Sequence, residues 1–133
     1  MWHVTVKAKL ERSRLFQRVE LVGAKVRAQV DADLFLDIYY DPTSHSYSYA
    51  LIDMKMPEPG DKRLFGWDDY PHEHVPEIRR LASYPHHFQR RQGARWVFEE
   101  SPMRGEIERD IPIVIRHLRA YLKKRRASRS GAS

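Results

Sequence analysis

The chain reads as a single α+β domain: a four- or five-stranded antiparallel sheet with a C-terminal helix packed on one face. Three observations lead there. Val26, Ala28 and Val30 alternate with Arg27 and Gln29, which is the period of a half-buried strand. Further strand-like runs follow across short, turn-rich connections, and strands joined so closely pair antiparallel. The final apolar pattern then changes to a helical period, over Asp110 to Arg126.

In chain order, residues 2–6 (WHVTV) have strand-like content, and Lys7 to Leu21 reads as a short helix or a bent strand, ended by Gly23. After the Val26–Val30 strand, Asp31–Ala32 makes a turn, and Leu34 to Tyr40 (LFLDIYY) has the aromatic and β-branched content of a second strand. Asp41-Pro42-Thr43-Ser44 supplies turn chemistry before a third strand, Tyr47 to Met54. The loop Met56 to Asp61 leads to a fourth, Lys62 to Trp67, and Arg95 to Glu99 offers a fifth. In the closing helix, Asp110 is placed to cap and Pro112 to occupy the first turn, where a missing N–H is tolerated. Ile111, Val114, Ile115, Leu118 and Leu122 form its apolar stripe. The domain spans residues 1–126, and 127–133 reads as a disordered basic tail.

The 133 residues suffice for one modest core and include no cysteine, which excludes disulfides and thiolate metal sites. The N-terminal residues lack the apolar run of a signal peptide, and no stretch approaches the roughly 20 apolar residues that span a bilayer. A cytoplasmic protein without membrane attachment is the expectation. The formal charge of +6 is unevenly spread: all 18 acidic residues precede Arg116, and the seven basic residues from Arg116 onward have no acid among them. That basic end suits an acidic partner or a phosphate backbone, and equally suits the negative end of a helix dipole.

Arg63 to Gln89 (RLFGWDDYPHEHVPEIRRLASYPHHFQ) concentrates the chemistry. It carries four of the seven histidines (His72, His74, His86, His87), the acids Asp68 and Asp69, and prolines at 71, 76 and 85 that place the histidines mainly on loops. Imidazole titrates near neutral pH, so such a cluster is a candidate acid–base or metal site. From Ile78 to Phe98 there is no acid, while Arg79, Arg80, Arg90, Arg91 and Arg95 are present, a composition fit for phosphate contacts. Three readings stay open. A metal site would use His72 and His74 with His86 or His87 and an Asp, although no zinc-finger or HExxH spacing occurs. A metal-free nuclease would pair His72 or His74 with His86 or His87 as base and acid, use arginine for the phosphorane charge, and orient an imidazole with Asp68 or Asp69. In the structural reading the histidines satisfy backbone groups; His3, His45 and His117 belong there, and Trp67 and Phe88 pack under the loop.

The succession Tyr47-Ser48-Tyr49-Ala50-Leu51, Arg63-Leu64-Phe65-Gly66-Trp67-Asp68-Asp69, Pro71-His72 and Pro85-His86-His87 resembles the TumE family of toxin–antitoxin toxins. The likeness covers roughly Leu34 to Leu122, and its specific part is Tyr47 to His87. It implies a growth-inhibiting toxin acting on RNA, neutralised by a cognate helix-turn-helix antitoxin, with Asp68, His72, His86 and His87 as site residues. The family pattern commonly has Asn and His where this chain has Asp69 and Gln89. Joined to the residue-level reading, the expectation is an endoribonuclease that needs no cofactor, with Arg79, Arg80, Arg90 and Arg91 as RNA contacts; a metal-dependent hydrolase and a non-catalytic nucleic-acid- or partner-binding module are the alternatives.

Overall fold

In the computed structural model, which describes residues 1–131, the alternating stretches become successive strands of one antiparallel sheet. The strands are β1 (Arg18–Val22), β2 (Lys25–Gln29), β3 (Leu34–Tyr40), β4 (Tyr47–Asp53), β5 (Arg63–Asp68), β6 (His87–Gln92) and β7 (Arg95–Glu99), and they lie side by side in chain order. The sheet therefore has seven strands where four or five were expected. Both additions are hairpin partners. β1 turns into β2 through Gly23–Ala24, and β6 into β7 through Gly93–Ala94. Gly23 and Gly93 have φ of 61° and 66°, which two-residue hairpin turns require and glycine supplies without a Cβ clash.

The N-terminal residues form a helix, α1 (Trp2–Arg12), and not the strand that their β-branched content predicted. Trp2, Val6 and Leu10 recur every four residues, and Val6 and Leu10 are buried in the core, so tertiary packing overrides local propensity. A single turn, α2 (Pro76–Arg79), sits in the loop after β5. The last helix, α3 (Ile107–Gly131), begins three residues before the expected start and continues through 127–131, where a disordered tail was expected; the rest of that tail, 132–133, lies outside the described residues.

The earlier start of α3 changes two roles. Asp110 is not the N-cap but sits inside the first turns, fully buried. Its carboxylate accepts from the Gly105 N–H (3.0 Å), the Arg104 N–H (3.3 Å) and the Tyr49 hydroxyl (2.9 Å), tying the helix to its entry loop and to β4. Pro112 falls beyond the first turn, so its missing N–H leaves the Glu108 carbonyl without a helical partner. Lys9 Nζ of α1 donates to that carbonyl at 3.1 Å.

One face of the sheet carries the core. Leu36, Ile38, Tyr49, Leu51, Phe65 and Trp67 meet Ile107, Ile111, Val114, Leu118 and Leu122 of α3, with α1 packed against β1, β2 and α3. The opposite face lies away from α1 and α3. That face is mixed: Phe35 and Ile52 are cross-strand partners on it, and on β2 and β3 Arg27 lies over the Phe35 ring and grips Asp37 through two hydrogen bonds of 2.8 and 3.0 Å. None of the helices among the described residues is long and apolar enough to cross a membrane.

Candidate functional site

The face opposite α1 and α3 holds the polar cluster, and strand alternation puts it there. Trp67 and Phe88 point into the core, where each ring lies within about 5 Å of His117, so their neighbours Asp68 and His87 point to the open side. Asp68 and His87 are cross-strand partners on β5 and β6. His87 Nε2 lies 3.2 Å from Asp68 Oδ1 and 3.3 Å from Gln89 Oε1, while its Nδ1 lies 3.0 Å from the Pro85 carbonyl. A carbonyl only accepts, so Nδ1 carries a proton in that bond. His72 comes in from the loop after β5, its ring 5.2 Å from that of His87 and edge-on to it. Its backbone is at φ 29°, a strained conformation for a non-glycine residue. Ligand-type atoms of Asp68, His72 and His87 all lie within 4.8 Å of one another.

Arg63 supplies the positive charge. Its Nη1 lies 3.5 Å from Asp68 Oδ2, and its buried Nε has no hydrogen-bond partner among the described residues. Strict alternation would have turned Arg63 away from Asp68, since the two are five residues apart. A bulge intervenes: Leu51 pairs with Phe65 but Ile52 with Arg63, so Leu64 is the extra residue and packs on the core, while Arg63 joins the open face. The Tyr70 N–H donates to Asp68 Oδ1 at 3.0 Å, fixing the carboxylate at the strand end.

These groups border a concavity of about 460 Å³ lined by Tyr39, Ser48, Arg63, Asp68, Tyr70 and His72, among others. A second hollow of about 250 Å³ shares Tyr39, Ser48 and Arg63 and extends the groove toward Lys25. Burial is the largest influence on His72 and pushes its pKa below the ordinary histidine value; Asp68 opposes this, and His87 and Arg63 add to it. His87 itself is fully buried and does not reach the surface of the concavity. The larger cavity of about 550 Å³, between β5–β7 and α3, is lined by Phe65, Trp67, Phe88, Ile113, His117 and Tyr121 and, on its charged side, by Arg90, Arg91, Glu99 and Glu100.

Neither family models nor curated proteins nor solved structures give a match to this chain.

Of the four histidines in the central stretch, the structure brings two together. His86 departs from its neighbour: its ring stacks on Tyr47 on the core side (5.8 Å, 12°), with Nδ1 2.8 Å from the Tyr47 hydroxyl. Burial and then Arg104 lower its pKa. His74 is exposed and stands outside the cluster. Asp69 is structural, accepting from Ser46 Oγ (2.9 Å) and the Tyr47 N–H (3.3 Å).

The expected RNA-contact arginines are placed differently from the expectation. Arg79 and Arg80 are exposed on and beside α2, and Arg79 donates to the Glu73 carbonyl. Arg90 pairs with Glu99 at 2.7 Å. Arg91 lies over the Trp96 ring and donates to the carbonyls of Arg63 and Asp61, bracing that segment. Arg63 was the cation that sequence reasoning did not assign, and Gln89 the additional polar partner. Gln89 follows from period two once His87 is known to open a strand. Arg63 had no such signal, because a bulge reverses its parity.

Proposed function

We propose that this protein is a growth-inhibiting toxin of a toxin–antitoxin pair and an endoribonuclease, with its active site on the face of the sheet opposite α1 and α3. The observation that carries the reading is the convergence of Asp68, His72 and His87 beside the partnerless Nε of Arg63, at the wall of a groove. Cleavage by the RNA's own 2′-hydroxyl forms a 2′-O–P bond as the P–O5′ bond breaks, and needs a group to take the hydroxyl proton, positive charge to meet the pentacoordinate phosphate, and a proton for the departing 5′-oxygen, which water can supply. His72 faces the groove in a form that burial keeps short of a proton, and suits the first role. Arg63 has guanidinium donors to spare for the second. Asp68 fixes Arg63 and His87 on either side of itself, and the buried His87 acts through it as a positioning residue. The toxin part of the reading draws its support from the motif order between Tyr47 and His87, which also makes a helix-turn-helix antitoxin the expected partner.

The test is RNA cleavage by the purified chain, together with growth on induced expression, for wild type, His72→Ala and Arg63→Ala. Loss of about 10²–10⁴ in cleavage rate is expected for His72→Ala, the usual worth of a general base. Circular dichroism controls for folding. Two folded variants that cut RNA and arrest growth like wild type would sink the assignment.

A further inference from the structure

We propose that Asp68, His72 and His87 form a binding site for one divalent transition-metal ion, with the Gln89 amide oxygen as a fourth donor. The ion's part in catalysis rests on the nuclease reading above; the binding site itself does not. A His72 ring that ligates the ion cannot also take the 2′-hydroxyl proton, so in the ion-bound chain that role would pass to a water held by the ion.

The geometry around His87 Nε2 points to a cation. With Nδ1 held at the Pro85 carbonyl, the ring turns its Nε2 toward two oxygens, Asp68 Oδ1 at 3.2 Å and Gln89 Oε1 at 3.3 Å. Two oxygens converging on Nε2 call for positive charge between them, which a proton on Nε2 or a shared cation supplies; the third ligand-type group, His72, within 4.8 Å of both His87 and Asp68, favours the cation. Donors bound at about 2.0–2.2 Å to one ion stand roughly 2.8–3.6 Å apart in cis-octahedral or tetrahedral arrangements. Both separations fall in that interval. A backbone carbonyl that holds Nδ1–H is also the outer-layer partner by which metal-ligating histidines are oriented.

Burial separates this from an acid–base pair. An imidazole with no exposed surface does not hand a proton to a substrate in the groove. An ion bound at its Nε2, and shared with Asp68 and His72, would stand between that ring and the groove wall. The groove also needs positive charge: Asp61, Asp68 and Asp69 border it against a single arginine, Arg63, which is a poor balance for drawing in a phosphodiester. A bound dication reverses that balance and can polarise a phosphoryl oxygen. Two imidazoles with one carboxylate and one amide oxygen match zinc, manganese or ferrous iron, and are a poor match for magnesium or calcium, which favour all-oxygen sites.

The experiment uses the tag-free full chain after metal stripping, titrated with Zn²⁺ by calorimetry and with Co²⁺ by its visible absorption. One ion per chain is expected, with affinity at least ~100-fold weaker in folded His87→Ala and Asp68→Asn, and unchanged in His74→Ala and His86→Ala. RNA cleavage is measured in parallel with chelator and with Mn²⁺ or Zn²⁺ restored. Absence of binding, or binding that survives His87→Ala, overturns the proposal. Full-rate cleavage in chelator overturns the ion's catalytic part and leaves the nuclease reading standing. Stoichiometric binding that depends on His87 and Asp68, with no RNA cut under any metal condition, upholds the site and removes the nuclease reading instead.

Discussion

Replacing His86 and His87 separately distinguishes the two sides of the sheet. His86→Ala removes a 2.8 Å hydrogen bond to the Tyr47 hydroxyl and a stacked ring contact. At about 1 kcal/mol for each, the loss is about 2 kcal/mol. From a domain stability of at least about 5 kcal/mol, about 3 remain, which keeps roughly 99 % of the chains folded. Catalysis by His86→Ala should therefore stay within about threefold of wild type, with a lowered melting temperature as its only signature. His87→Asn is the matched change. The Asn amide nitrogen stands near the position of the imidazole Nδ1 and keeps a donor for the Pro85 carbonyl, while everything that Nε2 does toward Asp68 is lost. Its cleavage rate should fall by about 10²–10³, the usual cost of dismantling a group on which the chemistry depends. Single-turnover cleavage of a labelled RNA, with thermal melts on the same preparations, decides between the two sides. If His86→Ala loses activity as His87→Asn does while remaining folded, the division of labour drawn from the geometry is wrong.

Two further outcomes concern stability. Asp110→Ala strips the acceptor from the Tyr49 hydroxyl and from the Gly105 and Arg104 N–H groups, and stranded buried donors cost about 1–3 kcal/mol each, so a loss of about 3–5 kcal/mol is expected in urea unfolding; an unchanged midpoint would show the carboxylate to be dispensable. His117 sits among Phe65, Trp67 and Phe88, and burial lowers its pKa below the unfolded value of about 6.5. The unfolded chain then binds more protons between those two values, so stability present above about pH 6.5 is lost as the pH falls toward the folded pKa. Melting temperature should drop from pH 7.5 to 5.5, with His117→Phe giving a shallower slope; because the pKa values of His72 and His86 are lowered in the same direction, some slope should survive.

The middle of the sheet was legible because β2 to β4, and β5 beyond its bulge, follow the pleat: one side must be oily to meet α3, and the alternation shows it. β6 was hidden by the prolines at 71, 76 and 85, which argue for loop up to His86 but stop there; His87 is the first residue free to pair. Gly23-Ala24 and Gly93-Ala94 were the available signals for the two missed hairpins. α1 was misread because Val4, Thr5 and Val6 favour strands locally, whereas the four-residue recurrence of Trp2, Val6 and Leu10 reflects what the core buries. At the site, Asp68, His72 and His87 stood out by residue type. That His86 would turn the other way was a matter of parity at a strand whose start was unknown, and Arg63 depended on a bulge that no local pattern announces.

Each strand of the meander pairs with the one made just before it, whereas Lys9 must wait for Glu108, and Ser13 for Arg119, near the other end of the chain. During synthesis the ribbon of strands can zip up as it leaves the ribosome, but its oily side stays wet until α3 emerges. Asp68, His72 and His87 are all translated well before that point. A nascent chain therefore displays its polar cluster on an unfinished, easily captured sheet, and docking of the final helix turns that ribbon into a durable protein.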